Sequence, residues 1–190
     1  MEGERKNSPW LVAAGSIPLL VAARDVNAGL AVATAFFAAH AVATTVALLL
    51  PRSFPPSRVA WLSVLAASLS VATVASIVRI ADPLLFERIY DRMFMAAFCA
   101  PVLMASEPAP ERDRGWERLA FGLGAAAAVF AFGAFREFLA VGTISLAGSA
   151  SDTGISLLPM AAQPSGGLIL VGLVAALGKT AAAFIKRSGP

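Results

Sequence analysis

Charge is scarce in this sequence. Of its 190 residues, 15 are Lys or Arg and 12 are Asp or Glu, 14% in all, where an ordinary soluble domain carries about a quarter. That shortage excludes a disordered chain and argues against a nucleic-acid-binding domain or an ordinary cytosolic enzyme. The formal net charge is only +3, too little for a basic binding face. Cysteine is nearly absent. The lone Cys99 rules out an internal disulfide framework and any self-contained Cys-rich metal site. There is no Walker motif, no HExxH and no Ser/His/Asp set. The run Ser165-Gly166-Gly167 is too short and wrongly placed for a phosphate loop.

What is present is apolar. Hydrophobic residues make up 58% of the chain and the mean hydropathy is +0.75. The length fits a single domain, 1–190. The stretches 9–23, 27–50, 59–78, 93–106, 119–135 and 153–178 carry no Asp, Glu, Lys or Arg. A membrane-spanning helix needs about 20 apolar residues. The stretches 27–50, 59–78 and 119–135 meet that, and a fourth helix is expected over about 167–186, ending at Lys186-Arg187, whose cations can snorkel, as can Lys179. The stretches 9–23 and 93–106 are too short, and each holds a proline, Pro18 and Pro101. Long apolar runs without strict alternation choose helices over a barrel. A competing reading of 9–23 is a signal peptide, with Arg5 and Lys6 before it and Ala22-Ala23 as a cleavage site. Glu2 and Glu4 count against that.

An internal repeat also counts against it. Residues 13–24 (AAGSIPLLVAAR) align on 96–107 (AAFCAPVLMASE), pairing Pro18 with Pro101 and Ser16 with Cys99. One helix later, 29–38 (GLAVATAFFA) aligns on 122–131 (GLGAAAAVFA). Each half, about 9–78 and 93–186, then holds three membrane segments. An odd number reverses the second half, so the repeat is inverted. The expected fold is therefore an all-α polytopic membrane protein with six transmembrane segments in two inverted three-helix repeats. The first segment of each half is short and broken, which is where such folds place their functional site. Ten Lys and Arg on one side (Arg5, Lys6, Arg52, Arg58, Arg112, Arg114, Arg118, Lys179, Lys186, Arg187) face five on the other (Arg24, Arg79, Arg88, Arg92, Arg136). That bias puts both termini in the cytoplasm. Residues 79–92 read as an amphipathic helix in the outer interface. Residues 138–165 read as a docking surface, a partly re-entrant loop or a mobile external loop.

The segment 119–146, LAFGLGAAAAVFAFGAFREFLAVGTISL, with its G-x-G and then G-x-x-R-E-x-x-x-x-G-T, resembles the RnfE/NqrD family of membrane subunits. Residues 7–23 resemble that family's first segment, which reads G-x-C-P-L-L, and 157–178 resemble its P-P-G-A-F-I region. The resemblance runs from about Asn7 to Arg187, and Arg136-Glu137 is its most specific element. It implies a non-catalytic subunit of an Rnf-type ferredoxin:NAD oxidoreductase complex in the bacterial inner membrane. Such a subunit is surrounded by lipid, binds no nucleic acid and pairs with a homologous RnfA-like subunit and the other Rnf subunits. The complex moves electrons coupled to Na⁺ or H⁺ translocation, and any reaction on NAD occurs on other subunits. The resemblance also implies a [2Fe–2S] cluster inside the membrane, held by four thiolates, two from each paired subunit, one on each half's short segment. Such clusters take Cys ligands.

Here the sequence departs from the pattern. The family's first cysteine position is Ile17, whereas the internal repeat sets its neighbour Ser16 opposite Cys99. Cys99 is the remaining ligand candidate, and Pro101 is foreign to the family. Three readings stand: Ser16 ligates through oxygen, the cluster uses three cysteines and another ligand, or this copy has lost the cluster and Cys99 is a small buried hydrophobe. Two functions from other classes are a small secondary transporter, which shares inverted repeats and broken segments, and a structural membrane subunit without a cluster.

Six more positions stand out. Arg136 and Glu137 read either as an interface anchor at a helix end or as a polar element that lines an ion route or fixes the 138–165 loop. His40, mid-span, reads as a proton relay or as a neutral His bonded to a neighbouring helix, with Thr34, Thr44 and Thr45 as similar interhelical glue. Gly122, Gly124 and Gly133 permit close helix packing.

Overall fold

Proline and aspartate punctuate the chain in the computed structural model, which describes residues 9–50, 53–106, 115–144 and 157–188. Among these residues the fold is helical throughout, in the order α1 (Pro9–Ala22), α2 (Val26–Leu49), α3 (Pro56–Ala81), α4 (Pro83–Met93), α5 (Met95–Ser106), α6 (Gly115–Val141), a short 3₁₀ turn (Pro159–Ala162) and α7 (Pro164–Ser188). Asp25 caps α2, its Oδ1 accepting from the Ala28 amide at 2.7 Å. Asp82 ends α3 and caps α4, accepting from the Leu85 amide at 2.9 Å. Pro56, Pro83 and Pro164 open their helices, where a missing N–H costs nothing. Gly142 stops α6 with φ 79°, the left-handed conformation that glycine adopts freely.

Three helices are long and apolar enough to cross a membrane: Val26–Leu49, Ser57–Ala81 and Gly115–Val141. They match three of the expected spans. α6 runs past the charge-free stretch at both ends, taking in Glu117, Arg118, Arg136 and Glu137. α1 and α5 have 14 and 12 residues and reach only about 20 Å at 1.5 Å per residue. Each keeps its proline inside the helix, Pro18 and Pro101, so both segments are short as expected. The apolar part of α7 described here runs over Pro164–Leu177.

α2 is the centre of the bundle. Ala28, Ala31, Val32, Ala35, Phe36, Ala39 and Ala43 are buried along it, against α6, α3 and α5. Alanine at these positions lets neighbouring backbones come close. α1 lies along α5, with Leu19, Ala97, Ala100 and Leu103 in the same core. α4 is amphipathic, as its sequence predicts, though α3 holds residues 79–81. It buries Ile89 and Met93 and turns Glu87, Arg88 and Asp91 outward. The rings of Phe86, Tyr90 and Phe94 stack edge-on at 5.2 and 5.4 Å along one face of α4 and the residue after it.

α3 and α7 turn apolar faces outward: Trp61, Leu65, Leu69, Ile77 and Ile80 on α3, and Leu168, Ile169, Leu173 and Leu177 on α7. Hydroxyls on the exposed faces bond back into their own helices, as Thr73 does to the Leu69 carbonyl (3.0 Å) and Ser76 to that of Ala72 (2.8 Å). A hydroxyl satisfied this way is tolerated in hydrocarbon.

Candidate functional site

The polar chemistry concentrates where α1 ends, α2 begins and α6 ends. Arg136 and Glu137 sit there on α6, and neither is an interface anchor. Arg136 is fully buried and Glu137 is 7% exposed. The guanidinium meets five backbone carbonyls. Nε donates to Ala161 at 3.0 Å, Nη1 donates to Ala23 (3.0 Å), Val21 (3.1 Å) and Leu20 (3.4 Å), and Nη2 donates to Gln163 at 3.1 Å. The last turn of α1 and the 3₁₀ turn both leave carbonyls without intrahelical partners. A planar fork with five donors satisfies both ends together. Its neighbour does the converse, as the Val26 amide at the start of α2 donates to Glu137 Oε2 at 2.7 Å.

Adjacent residues on one helix thus serve opposite helix poles, cation on carbonyls and anion on amides, as each dipole favours. Of the roles expected for this pair, the geometry fits fixation of the 138–165 connection. Residues 145–156 of that connection, on which its reading as a re-entrant or docking segment rests, lie outside the described residues. The glycines after Pro164 complete the clasp. A Cβ on Gly167 would sit 2.9 Å from Arg136 Cζ, and one on Gly166 would overlap the Met160 carbonyl. Neither glycine announced this role in the sequence. The available signal was two adjacent glycines in the first turn of a helix, where only close packing explains them.

His40 is fully buried on α2. Its Nε2 lies 3.0 Å from the Arg118 carbonyl oxygen of α6, so Nε2–H donates. This is the bond to a neighbouring helix expected of a neutral His. Its ring lies between Phe36 (5.8 Å) and Phe121 (6.3 Å) and rests on Gly122, where a Cβ would fall 2.9 Å from Cγ. At the other end of the same helix pair, Gly133 meets Gly29. A Cβ on Gly133 would stand 3.1 Å from Gly29 Cα and 2.8 Å from the Asp25 carbonyl oxygen. Gly122 and Gly133 are therefore packing glycines, while Gly124 faces open space. Of the threonines, Thr44 reaches another helix, its hydroxyl 3.9 Å from Met104 Sδ. Thr34 and Thr45 bond within α2, to the Leu30 and Ala41 carbonyls, and are not interhelical glue.

Cys99 and Ser16 lie on α5 and α1, the two short helices, which pack side by side. Cys99 is 5% exposed and belongs to the main apolar core. Ser16 is half-buried and Ile17 is 36% exposed. No group of three His, Cys, Asp or Glu side chains able to hold a metal occurs among the described residues. Among the described residues, then, no complete ligand set of a [2Fe–2S] cluster is assembled. One thiol is the chain's whole sulfur contribution, and that thiol is covered by apolar neighbours. Comparison with protein-family models, with curated proteins and with solved structures found no match for this chain.

Proposed function

We propose that the chain is a non-catalytic subunit of a multi-subunit electron-transport complex in the bacterial inner membrane, of the Rnf type that its resemblance to RnfE/NqrD subunits implies. It is built as six membrane segments in two inverted halves, with both termini cytoplasmic. One observation carries the inverted design. Residues 29 and 122 open the matched segments of the repeat and stand 93 positions apart, and so do residues 40 and 133. In the fold Gly29 packs on Gly133, and His40 on Gly122. Exchanging the halves turns the first contact into the second, the relation that an inverted repeat predicts for this antiparallel pair and that supports the reading. The short helices α1 and α5, the other matched pair, also pack on each other.

In this reading a [2Fe–2S] cluster shared with a homologous RnfA-like subunit would take the Cys99 thiolate as this chain's sulfur ligand, which requires the partner's approach to reach the thiol now covered by apolar neighbours. Coupling to Na⁺ or H⁺ belongs to the complex. The test is iron and sulfide analysis with EPR on the purified complex, before and after Cys99→Ala. Loss of one cluster signal is expected. An unchanged cluster count removes Cys99 from the relay. A second reading, a structural subunit without a cluster, is favoured by the apolar burial of Cys99; it predicts an assembled complex with no iron between the two chains. Solute or ion flux by this chain alone in liposomes would instead establish a secondary transporter.

A further inference from the structure

Beside the Arg136–Glu137 clasp lies a half-open cavity of about 530 Å³, lined by Arg24, Asp25, Arg88, Arg92 and Glu137 with an apolar margin that includes Val141. None of these arginines takes part in the clasp. The two acids already serve the start of α2, Asp25 through the Ala28 amide and Glu137 through the Val26 amide. The arginines have no such employment: no hydrogen bond or ion pair of Arg24, Arg88 or Arg92 occurs among the described residues. Arg24 Nε is buried without a hydrogen-bond partner. Arg88 and Arg92 are one turn apart on α4, so both heads reach the same side. Burial, and next the Arg24 charge, lower the Arg92 pKa from its ordinary value. Three guanidiniums thus share the rim and wall of a space large enough for a ligand with the two carboxylates of Asp25 and Glu137, which leaves a net positive charge and, at Arg24 Nε, an unsatisfied donor. Guanidinium forks match the oxygens of a phosphate group, and cavities of this size suit small ligands.

We propose that this cavity binds a phosphate group, carried by an anionic lipid headgroup or by a soluble phosphate. α4 is amphipathic, Leu84 one turn before Arg88 is exposed, and Ala140 and Val141 of α6 line the cavity itself. An acyl chain therefore has apolar surface to follow outward from the phosphate.

The test uses the full chain in two settings. In detergent carrying phosphatidylglycerol or phosphatidylcholine, native mass spectrometry counts retained lipid for the wild type, for Arg88→Gln/Arg92→Gln, and for Arg58→Gln, an exposed arginine at the start of α3. In phosphatidylcholine nanodiscs, inorganic phosphate is titrated while the melting temperature is followed. The double variant is expected to lose its preference for phosphatidylglycerol by about tenfold or more, as removal of two charge-assisted contacts implies, while Arg58→Gln keeps it. If inorganic phosphate then leaves the melting temperature unchanged, the source is lipid. If phosphate raises the wild-type melting temperature and not that of the double variant, the source is a soluble phosphate. Equal lipid retention by all three proteins, with no phosphate response, overturns the proposal. Arg24→Gln, at the buried donor, gives a second variant should the double one fail to fold.

Discussion

At the scale of the residue, Arg136 is where a single side chain decides most. Five carbonyls accept from it, that of Gln163 sharing the Gly167 amide, and each one left buried without a donor costs about 1–3 kcal/mol. Arg136→Lys keeps the charge but loses the fork. It is expected to lower stability in detergent by about 2–4 kcal/mol, the cost of two or so orphaned carbonyls, read as a fall in melting temperature. A loss as small as that of an exposed-arginine variant such as Arg58→Gln would mean the clasp is not structural. His40 and Gly122 are coupled in another way. Gly122→Ala drives a methyl into the imidazole, an overpacking that costs about 1–3 kcal/mol. Removing the ring in His40→Ala/Gly122→Ala should make the glycine change nearly neutral. Additive losses in that double-mutant cycle would show that the ring does not rest on Gly122.

At the scale of the element, the pair α2 and α6 depends on close approach at Gly29 and Gly133. Gly133→Leu is expected to separate the helices there. The Asp25 carbonyl oxygen stands in the way of even one added carbon, and the α1–α2 turn must then move with the Arg136 and Glu137 bonds attached to it. Cross-linking between cysteines placed at the two ends of this helix pair, in a Cys99→Ala background, measures the effect. Efficiency should fall at the Gly29 end and hold at the His40 end. α4 shows the limits of periodicity from the other direction. Its amphipathic pattern was legible over 79–92, but the pattern did not show that Asp82 divides it, ending one helix and capping the next. A single aspartate able to do both leaves no gap in hydropathy.

At the scale of the whole molecule, four of the five arginines expected on one membrane face lie near one another. Arg24, Arg88 and Arg92 line one cavity and Arg136 lies beside it. Arg88→Cys in a Cys99→Ala background is expected to react with a membrane-impermeant maleimide from the non-cytoplasmic side of intact cells, and Arg58→Cys only after lysis. The reverse result would invert the orientation while leaving the bundle as described. The third long helix of each expected half packs differently. α3 packs along α2, whereas α7 docks by its N-terminal end, where Leu170 meets Phe132 and Ala161. The sequence matches that suggest a repeat fall on α1, α2, α5 and α6.

Charge-free length marked the central parts of the long helices of this protein, because an apolar run of that size has one way to satisfy its backbone in lipid. The prolines in α1 and α5 and the matched Gly-Leu starts were visible for the same reason: they are local constraints carried by the residue itself. Tertiary structure alone decided what the buried polar residues do. An arginine beside a glutamate at a helix end reads the same whether it snorkels to water or turns inward. Only the carbonyls of α1 and the 3₁₀ turn, brought within 3.4 Å of one guanidinium, make the inward choice favourable. Those partners lie more than 20 residues away in sequence, beyond the reach of any local pattern.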